Sequence, residues 1–380
     1  MRYFVVAGEP SGDIHASLLM QALLQKDSDA HFHYIGGDRM RSVAPQGCIR
    51  DMRELAIMGF VEVVTHLRTI SRNLQACVQA IEAWQPEVVI LVDFSGFNLK
   101  IAKAAHRRGF RVAYYILPKL WAWGAWRIKQ LRRYVDYAYA ILPFEVEFFH
   151  HHGLSVEYLG NPLLDELPQP PSVEEKVKFR KELALDERPI IALLPGSRPQ
   201  ELQALLPVLC LASLAFPEHQ FVVAGTSALS QETYRSLLAD FPDIVLAIDR
   251  THELVYNAEC AIVTSGTATL ETGLMATPQV VVYRGNALSI WLARRLVRVR
   301  WISLVNLILQ KEAVVELIQE ACTPDRIAKE LRAILAGSEK RATVLQDYAT
   351  LRRFMGEEGT ARRIAESLYG KLRNAKLGNG

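Results

Sequence analysis

The sequence predicts an α/β protein of two doubly wound, Rossmann-like domains facing a cleft, with a helical C-terminal segment. Three observations predict it. Short apolar β-rich runs alternate with helical patterns through the first half, the alternation restarts after a proline-rich break, and beyond about Ala287 the pattern turns helical. Continuous apolar strands separated by helices make a parallel sheet covered on both faces. At 380 residues the chain is long for one core and suits two domains of about 150–200 residues each.

In the first series, strands are expected at Tyr3–Ala7, His31–Ile35, Val88–Val92, Val112–Ile116 and Tyr137–Ile141. Helices are expected near Asp13–Gln25, Val61–Trp84, Asn98–Arg108, Ala125–Tyr134 and Glu145–His151. Gly160-Asn161-Pro162, followed by Pro168, Pro170 and Pro171, reads as a linker. The second series has strands near Ile190–Leu194, Phe221–Ala224, Ile244–Ala247, Cys260–Val263 and Gln279–Tyr283. The resulting domains are 1–165, 175–340 and a helical tail over 341–380, with the residues from Gly370 expected to fray. Ligands of such sheets lie beyond the carboxyl ends of the strands.

Composition narrows the function. Half the residues are hydrophobic and 22% are charged, as in an ordinary globular protein. A net charge of +3 is too mild to call for nucleic acid. The cysteines (Cys48, Cys77, Cys210, Cys260, Cys322) are odd in number, scattered and without a CxxC pair, which points to reduced thiols in a cytoplasmic protein. The first apolar run, Tyr3–Ala7, is short and meets Glu9 and Asp13 at once, unlike a signal peptide. No apolar run approaches the length of a membrane span, so only surface contact with a membrane is left open. His150-His151-His152 are consecutive at a helix end and point in different directions, so no metal site and no cofactor are expected.

Five stretches carry the candidate chemistry. Glu259–Glu271 reads as a strand (Cys260–Val263), a Ser265-Gly266-Thr267 turn and a helix start, whose bare N–H groups form an anion site. Glu271 follows Thr267 by one helical turn and can accept hydrogen bonds from a ribose diol. An N-capped helix with a solvated Glu would look the same. Gly8-Glu9-Pro10-Ser11-Gly12-Asp13 follows the first strand, where two carboxylates suit a polar substrate such as a sugar better than a bare pyrophosphate. Asp93 leaves the apolar strand Val88–Val92 ahead of Phe94-Ser95-Gly96-Phe97-Asn98, and desolvation there raises a carboxyl pKa toward the range of a general base. A helix cap is the plainer role. Pro195-Gly196-Ser197-Arg198 opens the second series with a cation able to reach phosphate, and Glu201 is placed to orient it. Lys119, Trp121 and Trp123 follow a strand, where aromatics either stack on sugars or pack between domains. Two further stretches suit lipid: Ala56–Val61, and the Trp-flanked basic run from Ala287 to Trp301.

Taken in order, these motifs closely resemble the lipid-A-disaccharide synthase family of inverting GT-B glycosyltransferases. The likeness runs through Val6–Asp13, Glu54–Val63, Asp93–Asn98, Trp121-Ala122-Trp123, Leu142-Pro143-Phe144-Glu145, Leu193–Arg198, Ser265–Glu271 and Ser303–Leu307. The resemblance implies transfer of 2,3-diacylglucosamine from UDP-2,3-diacylglucosamine to 2,3-diacylglucosamine 1-phosphate. It implies Asp93 as general base on the acceptor 6-hydroxyl. Arg198, Ser197, Ser265, Gly266 and Thr267 would hold the UDP phosphates, Glu271 the ribose, and Asn306 would lie on the nucleotide side. Glu9, Ser11, Gly12, Asp13, Asn98, Trp121 and Trp123 would line the acceptor side. Peripheral association with the anionic inner-membrane surface is implied, and the helical tail is a candidate homodimer surface. Other UDP-sugar enzymes of this fold, such as a UDP-N-acetylglucosamine 2-epimerase or a peptidoglycan-type glycosyltransferase, are the alternatives, as is a non-catalytic UDP-sugar or lipid-binding protein. Two positions depart from the family pattern. Gly124 stands where an Arg usually follows Trp-Ala-Trp, and Asn161 stands in place of the usual His before Pro162.

Overall fold

The computed structural model describes residues 1–54, 67–122, 124–285 and 300–377. The chain divides into two compact units, Met1–Asp165 with Met355–Gly380, and Glu166–Phe354. The expected tail over 341–380 is therefore shared between them.

The first unit holds a seven-stranded parallel sheet: β1 (Arg2–Ala7), β2 (His31–Gly36), β3 (Cys48–Asp51), β4 (Val88–Val92), β5 (Val112–Tyr115), β6 (Tyr137–Ala140) and β7 (Glu157–Tyr158). Their spatial order is β3-β2-β1-β4-β5-β6-β7. Because side chains alternate along a strand, Phe4 and Val6 enter one core while Tyr3, Val5 and Ala7 enter the other. Val89 and Leu91 of β4 likewise face away from Val88, Ile90 and Val92. Helices on both faces follow from that pattern. The first begins at Pro10, three residues before the expected start, since proline has its φ preset and lacks only an N–H that a helix leaves unpaired anyway. The stretch expected as one helix over Ala125–Tyr134 opens with a 3-10 turn, Ala125–Arg127, ahead of the α-helix Ile128–Tyr134.

The second unit holds a six-stranded parallel sheet, ordered β10-β9-β8-β11-β12-β13. The strands are β8 (Ile190–Leu194), β9 (Gln220–Gly225), β10 (Val245–Ile248), β11 (Ala258–Thr264), β12 (Gln279–Tyr283) and β13 (Glu316–Ile318). One face of β8 and β11 packs Ile190, Ala192, Leu194, Ala261 and Val263 against Leu254, Val255 and Phe179. The strands absent from the sequence reading are β3, β7 and β13, each an outer strand of its sheet. All are short, largely half-buried and carry charged residues, so no continuous apolar run announces them. The presence of β13 also corrects the expectation that everything beyond Ala287 is helical.

Residues 370–377 do not fray as expected. The helix Thr360–Leu377 continues through them, and Leu372 is 1% exposed. Ile364, Ala365, Leu368 and Leu372 form a stripe at helical spacing that packs with Ala16, Leu19, Met20 and Leu23 of the first helix, Pro10–Lys26. Lys26 and Glu366 pair across it at 2.6 Å. All five cysteines are free thiols, with Cys48 half-buried and the others buried. Among the described residues no helix is long and apolar enough to cross a membrane. The apolar stretches at Ala56–Val61 and most of Ala287–Trp301 lie outside the described residues.

Because Leu368 is fully buried, Leu368→Ala is expected to cost about 2–5 kcal/mol in the first unit. Chemical denaturation followed by circular dichroism measures it, and an unchanged midpoint would show that this helix contributes nothing to the unit.

Candidate functional site

In each sheet the winding reverses once, and the strands on either side of the reversal lead into the flagged loops. β1 pairs with β4 so that Ala7 lies opposite Val92, and the chain leaves these residues as Gly8–Asp13 and as Asp93. β8 pairs with β11 so that Leu194 lies opposite Val263, one residue before Pro195-Gly196-Ser197-Arg198 and two before Ser265-Gly266-Thr267. Such reversals open a crevice at the carboxyl edge of a parallel sheet.

At the first reversal, Asp93 and Phe94 both adopt left-handed backbone, with φ of +46° and +47°. Consecutive non-glycine residues there are strained, and the surrounding structure must hold them. Asn98, fully buried, donates from Nδ2 to the carbonyls of Asp93 at 2.9 Å and Val92 at 3.2 Å. The buried Tyr114 hydroxyl donates to the Asp93 carbonyl at 2.9 Å. The Phe94 ring fills the space before Gly8, where a Cβ would come within 2.2 Å of the ring, so a side chain at position 8 would displace Phe94. Burial raises the Asp93 carboxyl pKa above its ordinary value, against the opposing pull of Lys119, the Phe94 N–H and His15. Glu9 is raised as well, first by desolvation and then by the charge of Asp93. Ser11 is exposed and Gly12 is buried.

Asp13, 3% exposed, is differently employed. Its carboxylate accepts the N–H groups of Gly37 at 2.7 Å, Arg39 at 3.0 Å and Met40 at 3.2 Å. It thereby satisfies the start of the helix Asp38–Val43. Trp121 donates from Nε1 to Glu145 at 2.9 Å and meets Phe144 edge-on, with ring centres 5.1 Å apart. Glu145 is 1% exposed and also accepts the N–H groups of Ile141 and Leu142, so it ties the segment after β5 to the turn after β6. Burial pushes its carboxyl up to about 7 against these hydrogen bonds. Trp123 lies outside the described residues. Gly124 has φ +81°, a backbone that any other residue adopts only with strain, and a Cβ there would press on the Arg127 guanidinium at 3.2 Å. Asn161 is buried and anchored, donating to the Ile141 carbonyl at 2.8 Å and accepting the Leu163 N–H at 2.9 Å. His150, His151 and His152 are exposed.

At the second reversal a cavity of about 940 Å³ gathers Ser197, Arg198, Ser265, Gly266, Thr267 and Glu271. Arg198 extends into solvent, its side chain 81% exposed and 3.5 Å from Glu201. Gly266 precedes the helix Thr267–Leu274, and the space before its Cα is open. The Ser265 hydroxyl donates to the Ile302 carbonyl at 2.9 Å. Asn306 is not in this wall. It is fully buried, its Oδ1 accepts the Ala313 and Val314 N–H groups, and its Nδ2 donates to Val314 and Glu316. The cavity also takes in Thr226, Asp249 and His252, which sequence reasoning missed because no motif marks them. His252 Nε2 lies 3.2 Å from Glu271 Oε2, and this hydrogen bond raises the imidazole pKa against desolvation. Among the described residues no cluster of His, Cys, Asp and Glu is placed to hold a metal ion.

Residues 3–368 match a family described as lipid-A-disaccharide synthetase. A lipid-A-disaccharide synthase from Myxococcus xanthus is 38% identical over 375 residues, covering 97% of this chain and 96% of that protein. One from Syntrophus aciditrophicus is 35% identical over 370 residues, 95% of each chain. Among solved structures, UDP-GlcNAc 2-epimerase from Neisseria meningitidis, bound to UDP-GlcNAc, superposes with a TM-score of 0.68 at 14% identity, over 97% of this chain and 100% of that one. The epimerase from Methanocaldococcus jannaschii gives 0.62 at 13%, over 97% and 99%. At such identity the likeness is one of fold.

Glu145 generates a pH prediction. Its folded pKa of about 7 lies above the ordinary 4.5, so its stabilising contribution is full below that ordinary value and is lost as pH rises toward 7. Denaturation midpoints across this window should fall more steeply for the wild type than for Glu145→Gln, which cannot ionise. Equal slopes would remove Glu145 as the source.

Proposed function

The chain belongs to the lipid-A-disaccharide synthetase family, the glycosyltransferases of lipid A biosynthesis, and we propose how its two units share the reaction. The family's reaction joins 2,3-diacylglucosamine from its UDP form to 2,3-diacylglucosamine 1-phosphate. It yields the β-1,6-linked disaccharide 1-phosphate and UDP. What carries our assignment is the register that sets Ala7 beside Val92 and Leu194 beside Val263, bringing each motif pair to the edge of its sheet.

In the first unit, Asp93 takes the proton of the acceptor 6-hydroxyl as that oxygen attacks the donor's anomeric carbon from the face opposite UDP. One in-line displacement inverts the centre and needs one base. Its raised carboxyl pKa suits it to accept that proton. Glu9, Ser11 and Trp121 meet the acceptor sugar, while Gly12, Asp13 and Asn98 act through the backbone they shape or hold. In the second unit, the start of the helix Thr267–Leu274 with Ser265, Gly266, Ser197 and Arg198 takes the diphosphate, whose charge grows as the glycosidic bond breaks. Glu271 accepts from the ribose, and Asn306 braces the Ala313–Val314 turn behind the site.

The anionic cytoplasmic face of the inner membrane is the proposed partner surface. Trp126 is 68% exposed, and Lys129, Arg132 and Arg133 are exposed on the adjoining helix Ile128–Tyr134. An aromatic ring beside several cations is the composition of an interfacial contact.

The test is release of UDP from UDP-2,3-diacylglucosamine in EDTA, with and without the 1-phosphate acceptor. Acceptor-dependent release with a disaccharide product is expected, whereas release without acceptor would favour hydrolysis or epimerisation. Asp93→Asn should lower turnover by about 10²–10⁴-fold while leaving UDP affinity unchanged, and undiminished turnover would remove Asp93 as base. Joint Lys129→Glu and Arg133→Glu substitution should reduce sedimentation with anionic vesicles at low salt and leave solution turnover on a detergent-dispersed donor intact. Unchanged sedimentation would discard this surface.

A further inference from the structure

Glu271 is one carboxylate on a rotatable side chain, standing in a cavity wide enough to let it turn away from a ligand. What holds it comes from a different turn of the sheet. His252 lies in the first turn of the helix Thr251–Asn257, beyond β10, and brings Nε2 to 3.2 Å from Glu271 Oε2. Among the described residues, Glu271 Oε1 has no hydrogen-bond partner within the protein, so it is the oxygen left for a ligand. The neighbouring cation does not compete for this carboxylate. Arg250 is engaged by Glu253 at 2.5 Å and by Glu182 at 2.9 Å. An ionised carboxylate only accepts, so Nε2 is the donor in this pair, and the bond raises the imidazole pKa above its ordinary value.

We propose that His252 is a positioning residue that fixes Glu271 toward a ribose diol, so that the pair gives the cavity its preference for ribonucleoside over 2′-deoxyribonucleoside diphosphates. This rests on the nucleotide reading of the cavity given above. With Oε2 occupied by the imidazole, the carboxylate cannot rotate freely, and Oε1 accepts from the ribose hydroxyls. A ligand lacking the 2′-hydroxyl leaves that charged acceptor unmatched, the form of discrimination in which an absent hydrogen bond is most costly.

The experiment is calorimetric titration of UDP and 2′-deoxy-UDP into the wild type and into His252→Phe, His252→Gln, Glu271→Gln and the double variant Glu271→Gln/His252→Phe. The wild type should favour UDP by about tenfold, the value of one charge-assisted hydrogen bond. His252→Phe should bring the ratio close to one by weakening UDP alone. His252→Gln, whose amide still donates, should restore most of the preference. Adding His252→Phe to Glu271→Gln should change nothing further. A ratio that survives in the Phe variant overturns the proposal, as does an equal loss of both ligands, which marks a merely structural role. If the Phe side chain disturbs the helix, His252→Ala carries the same comparison. A wild type that binds no UDP would instead remove the nucleotide reading itself, whereas UDP binding without ribose preference would remove only the His252–Glu271 assignment.

Discussion

A parallel sheet wound outward in both directions from an inner strand has one seam where its crossovers part, and this protein has such a seam in each unit. The two motif pairs assigned to chemistry depend on it. Between β1 and β4, and again between β8 and β11, hydrogen-bonded strands deliver two loops side by side at the carboxyl edge. The crevice at such a seam is where loops meet a ligand, and in the second unit the loops after β9 and β10 add Thr226, Asp249 and His252 to it. The burial of the strands on both faces supplies the rigidity, because a one-residue slip would exchange the two cores.

The two seams are built for opposite tasks. Around Asp93 the backbone is strained and immobilised, with Asn98 and Tyr114 occupying its carbonyls and the Phe94 ring seated against Gly8. Burial there raises the carboxyl pKa, and the held backbone fixes the direction of the side chain, as proton abstraction requires. The second seam offers hydroxyls, an extended arginine and an open helix start, a concave polar surface that admits charge instead of generating it.

Much of this was legible in the residues and some was not, for physical reasons. Inner strands such as Val88–Val92 and Ile190–Leu194 announce themselves because burial on both faces demands unbroken apolar runs. The outer strands β3 and β7 do not, since they are short, need only one neighbour and carry charge. Glu271 was visible because one helical turn links it to Thr267. His252 was not, because its partner is nineteen residues away and only the fold joins them. Asp13 and Asn306 were read as candidate contacts from their place in motifs. Their carboxylate and amide oxygens are committed to backbone N–H groups, those of residues 37–40 and 313–314, which no local pattern reveals. Gly124 has a local explanation in its left-handed backbone beneath Arg127.

The helix Thr360–Leu377 closes a core that the first helix opened. A ribosome emits the strands of the first unit early, yet Leu19, Met20 and Leu23 stay uncovered on their outer side until residues 364–372 emerge, after the whole of the second unit. The unit that begins first is thus the last to be finished. Over that interval its exposed leucines call for a chaperone, or for a second unit that folds quickly.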